Sequence, residues 1–228
     1  MRVKICGITT IEEAKLALSC GADALGFLIG LDYRTEDAID PSAAEKIIAS
    51  LPPFVSSVLV THRTEPGWLA EMSQKIGCNT VQLHGEFPPE EIPRLREQIP
   101  YARVIKAVHV VDASSAALAM HAARWADAIL LDTKTATRIG GTGITHDWSI
   151  SARIVKQATK PVILSGGLNP ENVRAAITTV SPYAVDVNTG VENPDGSKSQ
   201  EKVRAFIRLA KGSGAQSPAA AEFLFQQA

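Results

Sequence analysis

Eight short runs of β-forming apolar residues, each followed by an amphipathic helical window, predict a single (β/α)8 barrel for this 228-residue chain. The units are evenly spaced, and reactive or polar residues recur where the strands stop. A doubly wound open sheet is the rival architecture. It needs no eight regular units, and no Gly-x-Gly-x-x-Gly follows the first strand. The barrel is expected over residues 1–211, with a Gly/Ser/Ala-rich tail over 212–228 expected to be mobile.

The first strand is read at Val3–Cys6 and is broken by Gly7. Thr10 with Glu13 three residues later forms a capping box for a helix over Ile11–Ser19. Gly21 ends that helix, and Ala24–Ile29 is the second strand. Asp40 followed by Pro41 signals an N-cap with proline at the first helical position, and Pro52-Pro53 stops this helix near Ser50. The third strand, Val55–Thr61, leads past His62 to a helix over Pro66–Ile76. Thr80–Leu83 is the fourth strand, ending at His84-Gly85, with a helix over Pro89–Gln98. The fifth strand is read at Arg103–Ala107 and its helix at Ala113–Ala123. Ala128–Asp132 is the sixth strand, followed by a loop with Gly140-Gly141-Thr142-Gly143 and a helix from Trp148. Pro161–Leu164 is the seventh, followed by Ser165-Gly166-Gly167-Leu168 and a helix opened by Asn169-Pro170. Ala184–Val187 is the eighth, closed by Asn188-Thr189-Gly190, and the last helix runs over Ser199–Lys211.

Composition narrows the function. Apolar residues make up 45% and charged residues 21%, as in ordinary globular domains. A net charge of −1 offers no attraction for nucleic acid or anionic membrane. No apolar run approaches the roughly 20 residues of a membrane span, and no secretory signal is expected at the N-terminus. Cys6, Cys20 and Cys78 are odd in number and lack metal-ligand spacing, so a reduced cytoplasmic setting is expected. A monomer or homodimer acting on a small molecule is the expected form.

Functional groups of such a barrel gather at the C-terminal strand ends. That rule selects Cys6, His62, His84, Lys106, Asp132, Ser165 and Asp186. The glycine-rich turns after the sixth and seventh strands, and the small-residue turn after the eighth, leave backbone N–H groups uncovered. They suit a phosphate; the plainer reading is that these glycines only make tight turns. Asp132 ends the buried run Ile129-Leu130-Leu131, where desolvation is expected to raise its pKa and suit it to donate a proton. The alternative is an Asp satisfied by neighbouring amides. Cys6 is the complementary candidate base, provided a nearby cation lowers the thiol pKa; otherwise it is core filler. His62 and His84 with an Asp could instead bind a divalent metal. Lys4 and Lys106 suit either an anionic ligand or an internal ion pair. His109, His121 and His146 are expected to face solvent.

These segments resemble the phosphoribosylanthranilate isomerase family of tryptophan biosynthesis. The matching stretches are KICGIT (Lys4–Thr9), GADALGF (Gly21–Phe27), LPPFV (Leu51–Val55), VQLHGE (Val81–Glu86), IKAV (Ile105–Val108) and LLDTKT (Leu130–Thr135). GGTG (Gly140–Gly143), DW (Asp147-Trp148), LSGGLNPENV (Leu164–Val173) and VDVNTGVE (Val185–Glu192) complete the series. The resemblance implies an Amadori rearrangement of N-(5-phosphoribosyl)anthranilate to 1-(2-carboxyphenylamino)-1-deoxyribulose 5-phosphate, with no metal or organic cofactor. It makes Asp132 the general acid at the furanose oxygen and Cys6 the base at C2. Gly141, Gly166, Gly167, Thr189 and Gly190 would cradle phosphate, Asp186 would approach the ribose hydroxyls, and His84 would contact substrate.

Three loops depart from the family pattern. The Ser-x-Arg-Tyr stretch after the second strand is replaced by a longer Gly-Leu-Asp-Tyr-Arg-Thr-Glu-Asp, which leaves Arg34 as the candidate for the anthranilate carboxylate. Val58-Leu59-Val60-Thr61-His62-Arg63 replaces Val-Phe-Val-Asn after the third, and Ile144-Thr145-His146-Asp147-Trp148 replaces Lys-Thr-Phe-Asp-Trp after GGTG. The acid/base pair and phosphate rim are kept while the aryl end changes. Three alternatives therefore stand beside the isomerase. They are a paralogue acting on a different phosphorylated aminosugar, a metal-dependent sugar-phosphate epimerase and a non-catalytic phosphometabolite-binding barrel.

Overall fold

A computed structural model describes residues 1–33, 35–133 and 145–212, and every predicted βα unit is present among them. Arg34, Gly141 with the rest of its Gly-Gly-Thr-Gly turn, and the 213–228 tail lie outside the described residues. The strands are β1 (Arg2–Ile5), β2 (Ala24–Leu28), β3 (Ser56–Thr61), β4 (Thr80–Leu83), β5 (Arg103–Val110), β6 (Ala128–Thr133), β7 (Val162–Leu164) and β8 (Ala184–Val187). They pair in parallel in sequence order and close into a barrel, with β8 back on β1 from Arg2↔Ala184 to Ile5↔Val187.

The helices are α1 (Ile11–Ser19), α2 (Pro41–Ala49), α3 (Pro66–Ile76), α4 (Ile92–Gln98), α5 (Ser115–Ala123), α6 (Trp148–Gln157), α7 (Val173–Val180) and α8 (Gln200–Gly212). Local chemistry sets their starts. The Thr10 hydroxyl accepts from the Glu13 amide at 3.1 Å, while Glu13 Oε2 accepts from the Thr9 amide at 2.8 Å. The Asp40 carboxylate caps α2 through the Ser42 amide, with Pro41 at its first position. The predicted Asn169-Pro170 helix start is corrected. Asn169 and Asn172 close a turn by exchanging amide-to-side-chain bonds of 2.9 and 3.0 Å, and α7 begins only at Val173.

Alternation along each strand separates two environments. Outward residues such as Val3, Ile5, Leu25, Phe27 and Leu131 join the helices in one continuous apolar core. Inward residues are mixed. Ile105, Ala107, Leu130, Ile163 and Ala184 make one small apolar cluster, and Cys6, Leu28, Val58 and Val60 another. Lys4, Gln82 and Asp186 also take inward positions, so the barrel interior is polar as well as apolar. No helix among the described residues is long and apolar enough to cross a membrane.

Candidate active site

Cys6 directly follows β1, where its amide donates to the Val187 carbonyl at 2.8 Å, and its side chain is buried. Two residues back on the same face, the Lys4 ammonium donates to Asp186 Oδ2 at 2.9 Å, across the β1–β8 seam where these residues are register partners. Opposite them Gly26 leaves a gap in β2. A Cβ there would stand 2.7 Å from Cys6 Sγ, closer than real contacts allow, and a tight 3.0 Å from Lys4 Cε. This glycine is therefore required by its neighbours, since its backbone is not left-handed. A second buried cation, Lys198, donates to Asn188 Oδ1 and Glu192 Oε1, both at 2.6 Å, and Asn188 donates in turn to Asp37.

Asp132 takes the last inward position of β6. Its Oδ1 accepts from the Thr133 amide at 2.8 Å, and its Oδ2 lies 3.2 Å from His84 Nε2. His84 follows β4, and Gln82 Nε2 lies 3.2 Å from His84 Nδ1; an amide N–H donated there leaves the Nε2 proton facing Asp132. The imidazoles of His62 and His84 stack with centroids 5.6 Å apart, and His109 meets His84 edge-on at 5.3 Å. A cleft of about 340 Å³ runs beside this row, lined by Asp32, His62, Arg63, Glu86 and His109 among others.

Gly166 and Gly167 both have positive φ, at 84° and 67°. A side chain on Gly166 would strike Thr133 and Asp132, and one on Gly190 would strike the Leu168 carbonyl. The turns after β7 and β8, including Thr189 in the short 3-10 turn Thr189–Val191, are thus packed backbone against backbone. Asp186 Oδ1 is buried without a hydrogen-bond partner among the described residues.

The sequence model of N-(5'-phosphoribosyl)anthranilate isomerase matches residues 3–209 of this chain. The chain belongs to the phosphoribosylanthranilate isomerase family. The isomerase of Methanocella arvoryzae is 45% identical over 206 residues, spanning 90% of this chain and 96% of the relative. The crystal structure of the isomerase from Thermotoga maritima is 41% identical and superposes with a TM-score of 0.83, covering 93% of this chain and 99% of that one. An isomerase in complex with reduced 1-(o-carboxyphenylamino)-1-deoxyribulose 5-phosphate is 39% identical, with a TM-score of 0.80 over 93% of this chain and 99% of that one.

In this member of the isomerase family, the electrostatics of the two central residues run against expectation. Burial pushes the Cys6 thiol up to about 11, and the carboxylates of Asp186 and Asp37 add to that, while Lys4 and Lys198 pull the other way. The cation expected beside the thiol is present, but desolvation outweighs it. Burial also acts to raise Asp132. There the His84 hydrogen bond, the His84 and His109 charges and the Thr133 amide outweigh it and hold the carboxyl below its ordinary value. The expected elevation of Asp132 is therefore corrected. For Lys4, burial disfavours the charge, yet Asp186 and then Cys6 keep its pKa raised.

Placement of the other candidates divides. Lys4 forms the internal ion pair; Lys106 turns away from the barrel interior and donates to the Gly85 and Ala107 carbonyls at 2.9 and 2.8 Å. Ser165 Oγ lies 3.4 Å from Asp186 Oδ2. His121 is exposed as expected, whereas His109 and His146 are half-buried. His109 extends β5 opposite Asp132. His146 is wedged between Thr133 Oγ1 at 2.9 Å and Ser151 Oγ at 2.6 Å. Gly26, Gln82, His109 and Lys198 escape sequence reasoning. A strict alternation count carried past Ala107 would have found His109; Lys198 carries no local signal.

Proposed function

We propose that this chain catalyses the Amadori rearrangement of N-(5'-phosphoribosyl)anthranilate, with Asp132 as acid and Cys6 as base. The reading rests on one observation above all. Cys6 and Asp132 take inward positions at the rim of β1 and β6, with only β7 and β8 between them in the ring. A substrate whose phosphate sits at the β7–β8 turns then has its reacting carbons between the two groups. The reacting state is the resting pair with its one proton moved, so that Asp132 carries it and Cys6 is thiolate. Delivery of that proton from Asp132 to the furanose oxygen lets the C1–O bond break as the amine lone pair forms the protonated Schiff base. Cys6 takes the C2 proton; the pair of the broken C2–H bond forms the C1–C2 double bond of the enolamine, and the C1=N pair returns to neutralise the iminium nitrogen. Protonation at C1 and loss of the C2 hydroxyl proton yield the ketone.

The iminium cation explains how a thiol held near 11 can act. Positive charge at C1 acidifies the adjacent C2–H and stabilises the thiolate beside it at the moment the base is needed. His84 is proposed to contact substrate and to hold Asp132 Oδ2 in line. Gly141, Gly166, Gly167, Thr189 and Gly190 would receive the phosphate. The close packing that bars a side chain at Gly166 and Gly190 fixes the backbone of both turns, and backbone N–H groups of such turns are the donors proposed for the phosphate. Asp186 Oδ1, without a partner among the described residues, is suited to accept a ribose hydroxyl. Arg34 is proposed to hold the anthranilate carboxylate, and Arg34→Ala should then raise KM for this substrate with little change in kcat.

Purified protein should quench the fluorescence of phosphoribosylanthranilate when coupled to an excess of the enzyme that consumes its product. Cys6→Ser and Asp132→Asn should each lower kcat/KM by more than a thousandfold. Absence of turnover in the unmodified protein would remove the assignment, and turnover surviving both substitutions would remove the mechanism.

A further inference from the structure

We propose that His84, His109 and Asp132 form a binding site for a divalent transition-metal ion of the zinc class, and that an ion bound there inhibits the enzyme. One ligand atom from each residue lies within 4.8 Å of the others. Zinc-class ions bind imidazole nitrogen and carboxylate oxygen at about 2.0–2.2 Å, so side-chain shifts of an ångström or less close the set. Two nitrogens and one oxygen select zinc, cobalt or nickel over magnesium and calcium, which require oxygen ligands. Three protein ligands leave a position open, and His109 borders the 340 Å³ cleft through which an ion can arrive.

The surrounding groups are already arranged for coordination. The Thr133 amide fixes Asp132 Oδ1, which leaves Oδ2 to face His84. Gln82 Oε1 is buried with no partner among the described residues, while its Nε2 faces His84 Nδ1. A half-turn of this amide places Oε1 against an Nδ1–H. His84 Nε2 then loses its proton and is free for the metal, with Gln82 orienting the ring as outer partners of metal-bound histidines do. His109 is held opposite Asp132 by strand register and does not depend on a loop. An ion held by Asp132 Oδ2 keeps that carboxylate from carrying the proton which the proposed acid step delivers. Inhibition therefore rests on the isomerase reading, whereas binding does not.

Cobalt titration of the full chain tests binding without turnover. One equivalent of Co2+ should saturate a visible d–d spectrum of low coordination number, free of a thiolate charge-transfer band, and Zn2+ but not Mg2+ should displace it. His109→Gln and His84→Gln should each weaken binding more than tenfold, with His121→Gln, an exposed histidine, unchanged. Zn2+ should inhibit turnover with the dissociation constant found by titration, and a chelator should restore it. No saturable site, a thiolate band, wild-type affinity in His109→Gln, or full activity of the zinc-loaded protein would each overturn the proposal. A metal-free protein without turnover counts against the isomerase reading alone, and the cobalt titration still decides the site.

Discussion

The sulfur of Cys6 and the carboxylate of Asp132 rest in protonation states opposite to those from which their proposed steps begin. With its pKa near 11, only roughly one part in 10⁴ of Cys6 is thiolate at pH 7. Reactivity should show this directly. Iodoacetamide should label half-exposed Cys20 first, and labelling of Cys6 in the free enzyme should rise about tenfold per pH unit until pH 11. A plateau near pH 7, followed by peptide mapping, would mean that the cations Lys4 and Lys198 dominate after all. The positions of both residues are readable in the sequence, because each ends an apolar strand. Their protonation is not, since it depends on His84 and His109 from other strands and on how far each group is buried.

At the scale of elements, β2 matters through what it lacks. Gly26 lets Cys6 and Lys4 lie against bare backbone, and Gly26→Ala would drive a methyl into the sulfur. Overpacking of this kind costs about 1–3 kcal/mol, while an ångström of displacement at a reacting group costs on the order of 100-fold in rate. Gly26→Ala should therefore fold with a lowered Tm and lose at least tenfold in kcat/KM; unaltered kinetics would show that the thiol position is not critical. The strand–helix alternation was legible because apolar period and caps agree along the chain, as at Thr10 with Glu13 and Asp40 with Pro41. Two boundaries were not. β5 runs on to Val110 because β6 pairs with it as far as Thr133, a long-range cause that hides behind the polar His109. Asn169-Pro170 has the composition of a helix start, yet the second asparagine, Asn172, closes a turn first.

Across the whole molecule, buried titratable groups set opposing pH dependences. Lys106 is lowered to about 8 by burial, so between pH 8 and its ordinary 10.5 the unfolded chain holds a proton that the folded one has released. Stability rises there. Cys6 and Cys78 are each raised from 9.0 to about 11 by burial, so between those values the folded chain keeps protons that the unfolded one has lost, and stability falls. Each group contributes about 1.4 kcal/mol per pH unit inside its own window. One lysine against two thiols gives a rise from pH 8 to 9 and a decline beyond. Urea unfolding across pH 7–10.5 should place maximum stability near pH 9, and a monotonic fall from pH 7 would contradict these burials. Asp186→Asn belongs to the same scale. It leaves the Lys4 ammonium buried without its counter-charge and should cost about 3–5 kcal/mol, with proportionate loss of urea midpoint.

The Lys4–Asp186 pair joins positions 182 apart, across the one pairing that links the first strand to the last. During synthesis from the N-terminus, a chain that has emerged only through β7 carries a lysine destined for the interior and nothing to neutralise it. The ring can reach its final dry state only after residue 186 arrives, so the seam acts as a late checkpoint on assembly. Moving the cut by circular permutation, so that β8 directly precedes β1, would turn that long-range partner into a local one. It should let the same charges meet early, speeding closure without altering the finished barrel.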